Sequence, residues 1–400
     1  MQFDFTPLHE IFAQVPDPRH AQGKRHPLPA ILSLMCVATL CGYKTYSAMV
    51  EWGKYHGSGY LRMLGFTRDT PPVQSTLCAL LQGLDAQALE AAIGQWIESV
   101  VATLPPDRVE AWALDGKTLR GSKKQGADCF HLVAILGHQC GMVLRQELAP
   151  LRGDKQPDEG AVVNALLKCL FQEGTLEGRI WTMDALHTRE DNAQTIVDGG
   201  GDYVMPVKEN QPTLCADIRL LFDERDRLAK EKREAMTATA AWDQGHGRIE
   251  HRRLTVSAAL NDHLDWPGVG QVFRVERVRY QTKSGQTESE TVYGITSLSP
   301  EAADAERLAS LVRGHWSIEN RLHYVRDVTF GEDRSHVRSG ATPQVMAAIR
   351  NVAISLLHGL EEKNIAAATR RLGARPMEAM TLIGAQPGKP NSPRLVRRTS

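Results

Sequence analysis

Two short apolar runs, each ending on a carboxylate, constrain this chain more than any other feature. Ala111-Trp-Ala-Leu-Asp115 and Arg179-Ile-Trp-Thr-Met-Asp184 read as strands, because a brief unbroken apolar run suits a strand covered on both faces. An Asp leaving the C-terminal end of such a strand stands where open α/β sheets expose their reactive groups. The stretch LVRGHWSIENRLHYVRDV, residues 311–328, reads as a helix carrying a third acid, Glu319. Three carboxylates drawn together from these places can hold two hard divalent cations, the apparatus for in-line attack on a phosphodiester. Either Asp alone is better explained as a turn residue or helix cap, and Asp115-Gly116 is a good turn pair. The third acid tips the reading towards chemistry.

Composition narrows the class. The chain has 400 residues, 42% of them apolar and 24% charged, with a formal net charge of zero. That describes a soluble globular protein of two or three domains, and it counts against a uniformly basic nucleic-acid binder. Basic residues are nonetheless clustered. Lys117, Arg120, Lys123 and Lys124 precede the first acid of their loop, Asp128, and Lys389, Arg394, Arg397 and Arg398 share an acid-free tail. Local patches of this kind neutralise phosphates even on a neutral molecule. Seven cysteines with no CxxC pair read as small buried hydrophobes in a reduced, cytoplasmic setting, nucleoid-associated when the protein is on DNA. No leader pattern opens the chain, and the apolar stretch from Leu28 to Gly42 is too short for the ~20 residues of a membrane span.

The pattern predicts an all-helical segment over residues 1–103. Pro29 opens an apolar helix, Tyr46 to Tyr55 forms a second that Gly57 ends, Ser75 to Gln82 forms a third, and Asp85 caps a fourth. Pro105-Pro106 marks a boundary. A strand–helix alternation follows over 110–380: AWALD, a hairpin around residues 137–141, a helix from Asp158 to Phe171, and strands Arg179–Met183 and Tyr203–Val207. A charged helix is expected over residues 213–236. A β-rich insertion is expected at about 205–300, with strands Ile249–Ser257, Gln271–Gln281 and Glu288–Ile295. The fold class is α/β, a mixed sheet with helices on its faces. Residues 386–400 read as a disordered basic tail.

Several residues are candidates for holding a polyanion. At helical spacing, Val312, His315, Glu319, His323 and Arg326 share one stripe beside an apolar one, with Arg313 nearby. Such a stripe suits DNA, although a solvated face with Glu–Arg pairs fits as well. Lys208, with the amides of Asn210 and Gln211, follows the strand Tyr203–Val207. The i, i+4 spacing of His315, Glu319 and His323 also admits zinc, but the HExxH pattern is absent. The helical N-terminal segment has room for a helix-turn-helix whose second helix opens at Gln74-Ser-Thr76.

The motifs together match a family. Val15-Pro-Asp-Pro-Arg-His20, Lys24-Arg-His-Pro-Leu28 and Trp52 come first, then Leu114-Asp-Gly-Lys-Thr-Leu-Arg-Gly-Ser122 and Asp184-Ala-Leu-His-Thr188. Gly201-Asp-Tyr-Val204, Val207-Lys-Glu-Asn-Gln211, Gly245-His-Gly-Arg-Ile-Glu250, His315-Trp-Ser-Ile-Glu-Asn-Arg-Leu-His323 and Asp327-Val-Thr-Phe-Gly-Glu-Asp333 complete the series. Over nearly its full length the chain resembles the H-repeat-associated group of insertion-sequence DDE transposases, which have a ribonuclease-H-like core. The resemblance implies that Asp115, Asp184 and Glu319 are catalytic and hold two magnesium ions, for which manganese can substitute. It also implies binding to terminal inverted repeats, strand cleavage exposing 3′-hydroxyls, and strand transfer into target DNA, with a homodimer handling two ends. Related branches carry Tyr, Arg and Lys around the Glu, where this chain has Val312, His315 and Arg326. Two other readings fit the residues: a catalytically inactive DNA-binding relic, and a metal-dependent phosphohydrolase acting on small substrates.

Overall fold

The structure is a computed structural model describing residues 6–123, 129–149, 158–224, 230–231, 235–245 and 247–385. The tail expected over 386–400 lies outside the described residues, as does Lys124. Nine strands are described: β1 Ala111–Leu119, β2 Phe130–Gly137, β3 Val143–Leu148, β4 Ile180–Met183, β5 Asp202–Val207, β6 Thr237–Gly245, β7 Arg248–Ser257, β8 Gln271–Gln281 and β9 Thr287–Thr296. The chain forms two compact units that are not contiguous in sequence. One comprises Met1–Pro105, Gly116–Pro157 and Glu319–Ser400; the other comprises Pro106–Asp115 and Asp158–Ile318. The division runs through β1, after Asp115, and through the helical run after Ile318.

In the first unit, helices α1 Leu8–Phe12, α2 Leu28–Leu40, α3 Tyr46–Met63, α4 Gln74–Gln82 and α5 Ala86–Val101 follow in order. Local chemistry sets their ends. Pro29 lies in the first turn of α2, where a missing N–H costs nothing. Thr45 and Asp85 accept the Ala48 and Ala88 amides at the starts of α3 and α5, as N-caps do. The expected stop at Gly57 is a kink instead. Gly57 takes φ 77° and the helix resumes to Met63, a backbone state that only glycine adopts cheaply. Helix Thr342–Gly359 is buried along its whole length, so it is a central rod rather than a surface helix. It packs on α2, α5 and β3. β2 and β3 form the expected antiparallel hairpin, Leu132 opposite Leu148, and the strand order there is β3-β2-β1.

The second unit holds the strand order β1-β4-β5-β9-β8-β7-β6. β1, β4 and β5 are parallel, and from β9 onward neighbours are antiparallel. The β-rich stretch therefore continues the same sheet through the β5–β9 pairing. β6 has no counterpart among the expected strands; of the charged helix expected over 213–236, Pro212–Asp223 and residues 230–231 are helical, and 225–229 and 232–234 lie outside the described residues. Ala111, Ile180, Val204, Phe273, Leu308 and Leu311 join one apolar cluster. Burying each large side chain there contributes about 1.5–3 kcal/mol. This is the mixed α/β sheet with helices, preceded by an N-terminal helical region, that the sequence called for.

Candidate active site

The acids sit at the end of the β1–β4 pairing. Leu114 is in register with Met183, so Asp115 and Asp184 each follow the last paired residue of adjacent parallel strands. β1 itself runs on to Leu119, so Asp115-Gly116 lies within a strand rather than in the turn those residues permit. Asp184 does act as a cap. Its Oδ1 accepts the Leu186 amide at 2.9 Å and opens the short helix Ala185–His187. It also lies 3.8 Å from His187 Nε2, with about half of its side chain open to solvent.

The helical run carrying Glu319 begins as α-helix Ala305–His315, capped by Asp304. His315 Nδ1 meets Thr182 Oγ1 at 3.1 Å, which fixes one turn of the run to β4 two residues before Asp184. From Glu319 the run changes character, with π-helical turns at Glu319–His323 and Val325–Thr329. Such turns inside α-helices frequently mark functional sites. Half-exposed Glu319 accepts from, or pairs with, buried His323 at 3.4 Å. Burial lowers the His323 pKa below its ordinary value, with Glu319 pulling the other way.

Asp115, Glu319 and His323 offer ligand atoms that all lie within 4.8 Å of one another. Two carboxylate oxygens and an imidazole nitrogen in that space suit a small divalent cation. The expected trio is thus brought together in part. Asp115, Glu319 and His323 fall in that group, and Asp184 follows the neighbouring strand outside it. Of the histidines that admitted zinc, His315 is committed to Thr182 instead.

The basic candidates divide sharply. Lys117 is largely buried and bonds Asp327 Oδ2 at 2.6 Å. Burial raises the Asp327 pKa, while Lys117 opposes the shift. Arg120, Lys123 and Lys208 are exposed, and Lys208 lines a hollow with Asp184 and Arg219. Exposed Arg313 pairs with Asp243 at 3.0 Å. The amides of Asn210 and Gln211, expected as phosphate donors, instead bond the carbonyls of Ala185 and Thr188 at 2.7 and 3.2 Å, which ties down the loop after Asp184. Arg326 requires correction. It is fully buried, with its guanidinium on Glu332 at 2.7 Å and Gln146 at 3.0 Å, and it presents no charge to a ligand. The reason is the π geometry: i→i+5 turns advance fewer degrees per residue, so seven residues after Glu319 no longer return to the same face. The Lys117–Asp327 pair went unread because its partners lie 210 positions apart.

Comparison with known proteins gives the family. Residues 110–356 match the family described as transposase DDE domain, and residues 9–97 match the DDE_Tnp_1-associated family. The "H repeat-associated putative transposase YhhI" of Escherichia coli strain K12 is 26% identical over 359 residues, 88% of this chain and 90% of that protein. An uncharacterised protein of the dhlA 3′ region in Xanthobacter autotrophicus is 32% identical over 72% of this chain and 93% of its own length. A solved piggyBac transposase synaptic complex with hairpin DNA aligns over 97% of this chain and 78% of that chain, at TM-score 0.40 and 9% identity, too slight a likeness to speak for the fold. Among the described residues no helix is long and apolar enough to cross a membrane. With its DDE domain and its associated N-terminal domain both matched, the chain belongs to the DDE transposases, in the H-repeat-associated group.

Proposed function

We propose that this protein is the transposase of an insertion sequence. It binds the element's terminal inverted repeats as a homodimer on DNA in the cytoplasm, cleaves a strand at each end in a magnesium-dependent reaction, and joins the freed 3′-hydroxyls to target DNA. The observation that carries the reading is the register Leu114↔Met183, which sets Asp115 beside Asp184, taken together with the grouping of Asp115 and Glu319.

The donor set fits a divalent cation. Oxygen ligands favour magnesium, and the imidazole leaves room for manganese. Bound there, such ions supply activation of the attacking oxygen and neutralisation of charge on the leaving oxygen. The chain's own residues do the positioning. Asp115 and Asp184 are held by paired strands, and Glu319 by the run anchored at His315. Paired Lys117 and Asp327 brace the segment just beyond Asp115, and exposed Arg120 and Lys123 meet phosphates near the cut.

The test uses duplex DNA containing an element end, labelled on one strand, with Mg²⁺. Wild-type protein nicks it. Asp115→Asn, Asp184→Asn and Glu319→Gln each lower nicking by more than about 100-fold, the loss that even removal of a group supporting a ligand can cause, while DNA binding persists. Undiminished nicking by any of the three would remove that residue from the mechanism, and undiminished nicking by all three would remove the mechanism.

A further inference from the structure

The first unit carries an open groove of about 710 Å³ that is lined by none of Asp115, Asp184 and Glu319. Its walls come from three separate pieces of chain: residues 44–46 at the start of α3, helix α4, and the segment 327–342. Lys44, Arg334 and Arg338 supply the charge, and all three are exposed. Gln74, Gln82, Thr45, Ser335 and Ser339 interleave amides and hydroxyls. The one carboxylate in the lining is Asp327, and Lys117 already neutralises it at 2.6 Å.

The basic wall is held firmly. Buried Glu332 takes Arg326 at 2.7 Å and Arg350 at 2.8 Å, which pins the segment at its base. At one edge its backbone lies against Gly121, where an added Cβ would fall 2.6 Å from the carbonyl oxygens of Glu332 and Ser335. Arg338 Nε returns to the Gly121 carbonyl at 3.2 Å, and its other arm meets His336 at 3.1 Å. At the other edge Gly340, at φ 56°, approaches the Gln82 carbonyl so closely that a Cβ would lie 2.5 Å away. Charges on a frame fixed at base and both edges are set in place before a ligand arrives, which lowers the cost of binding.

We propose that this groove seats the phosphodiester backbone of duplex DNA beside the scissile position. The chemistry is that of backbone contact: several separated cations flanked by neutral donors, the residue types that contact phosphate oxygens and fix register without reading bases. The groove is tied along the chain to Asp115. Asp327 in its lining holds Lys117, which follows Asp115 by two strand residues, a span of about 6.6 Å and about two nucleotide rises along one strand. This assignment rests on the reading of the protein as one that acts on DNA, and it adds where the flanking backbone lies.

Fluorescence anisotropy of a labelled duplex, in EDTA and over a series of salt concentrations, tests it. Lys44→Gln with Arg334→Gln is the clean pair, since neither residue braces the frame in the contacts described, and circular dichroism confirms that the variant is folded. Each lost phosphate contact should lower the steepness of log K against log salt by about 0.9, so the pair should lower it by about 1.8. Binding weakens alike on end-containing and scrambled duplexes. Lys44→Gln with Arg334→Lys, which keeps the second charge, should restore about half of the lost slope, about 0.9. An unchanged slope in the folded pair would overturn the proposal, and so would a loss confined to end-containing DNA, which signals base reading. The underlying reading fails separately: wild-type protein that binds with the full slope but never nicks in Mg²⁺ leaves the groove standing and removes the catalysis. Wild-type protein that nicks, alongside a pair variant that binds like it, removes the groove and leaves the catalysis.

Discussion

Glu332 sits in the interior between two guanidinium groups, and its ionisation is held in place by them. Burial alone would raise its pKa, but Arg326 and Arg350 outweigh that and leave it below the ordinary value of 4.5. A depressed folded pKa contributes stability that is full above the ordinary value and is lost as pH falls through the folded one. Glu332→Gln leaves two buried cations underpaired, a loss of about 3–5 kcal/mol when one partner of a buried pair is removed. Urea unfolding at pH 7 should show that loss, and the gap to wild type should narrow as pH drops below 4.5. A gap that stays constant with pH would deny the ionised pairing. Glu90 works in the opposite sense. Burial raises its pKa well above the ordinary value despite the bond from Gln146, so its contribution is present at low pH and lost on raising it.

Among the elements, the segment 331–342 draws most on close backbone approach. Gly121→Ala would press a methyl against two carbonyl oxygens, and overpacking of this kind costs about 1–3 kcal/mol. The urea midpoint should fall accordingly, and DNA affinity should fall with it because the basic wall shifts; a midpoint equal to wild type would show that the loop gives freely. How far elements were readable from sequence follows from where their determinants lie. β1 and β4 were legible because their apolar runs are local, and Asp85 was legible because a cap satisfies amides three residues away. β6, with its nine residues TATAAWDQG almost wholly exposed or half-exposed, offers no apolar alternation to find. Arg326 was misplaced by a period of 3.6 applied across π turns. The groove joins residue 44 to residue 338 through folding alone, so no window of sequence contains it. The grouping of Asp115 with Glu319 was suggested by the strand-end and helix patterns and made specific by the family motifs, since nothing local links positions 204 apart.

At the scale of the whole molecule, the zero net charge means that any DNA affinity must come from local patches and carry a salt dependence set by a few contacts. The two units interleave in sequence, and the chain passes between them after Pro105, Asp115, Pro157 and Ile318. A fragment ending at Pro157 keeps β1 but loses β4, its parallel neighbour. Its apolar edge would then be bare, the condition that invites edge-to-edge association. Light scattering of residues 1–157 should report large oligomers, whereas a monodisperse, folded fragment would show that these residues fold without β4 and without the buried helix Thr342–Gly359. For the gene, the same interleaving bears on inheritance. A single crossover between related copies, placed anywhere from codon 116 to codon 318, parts Asp115 from Glu319 and gives each descendant acids from two different parents. Hybrids of distant relatives should seldom work, and the reading frame should travel as one piece.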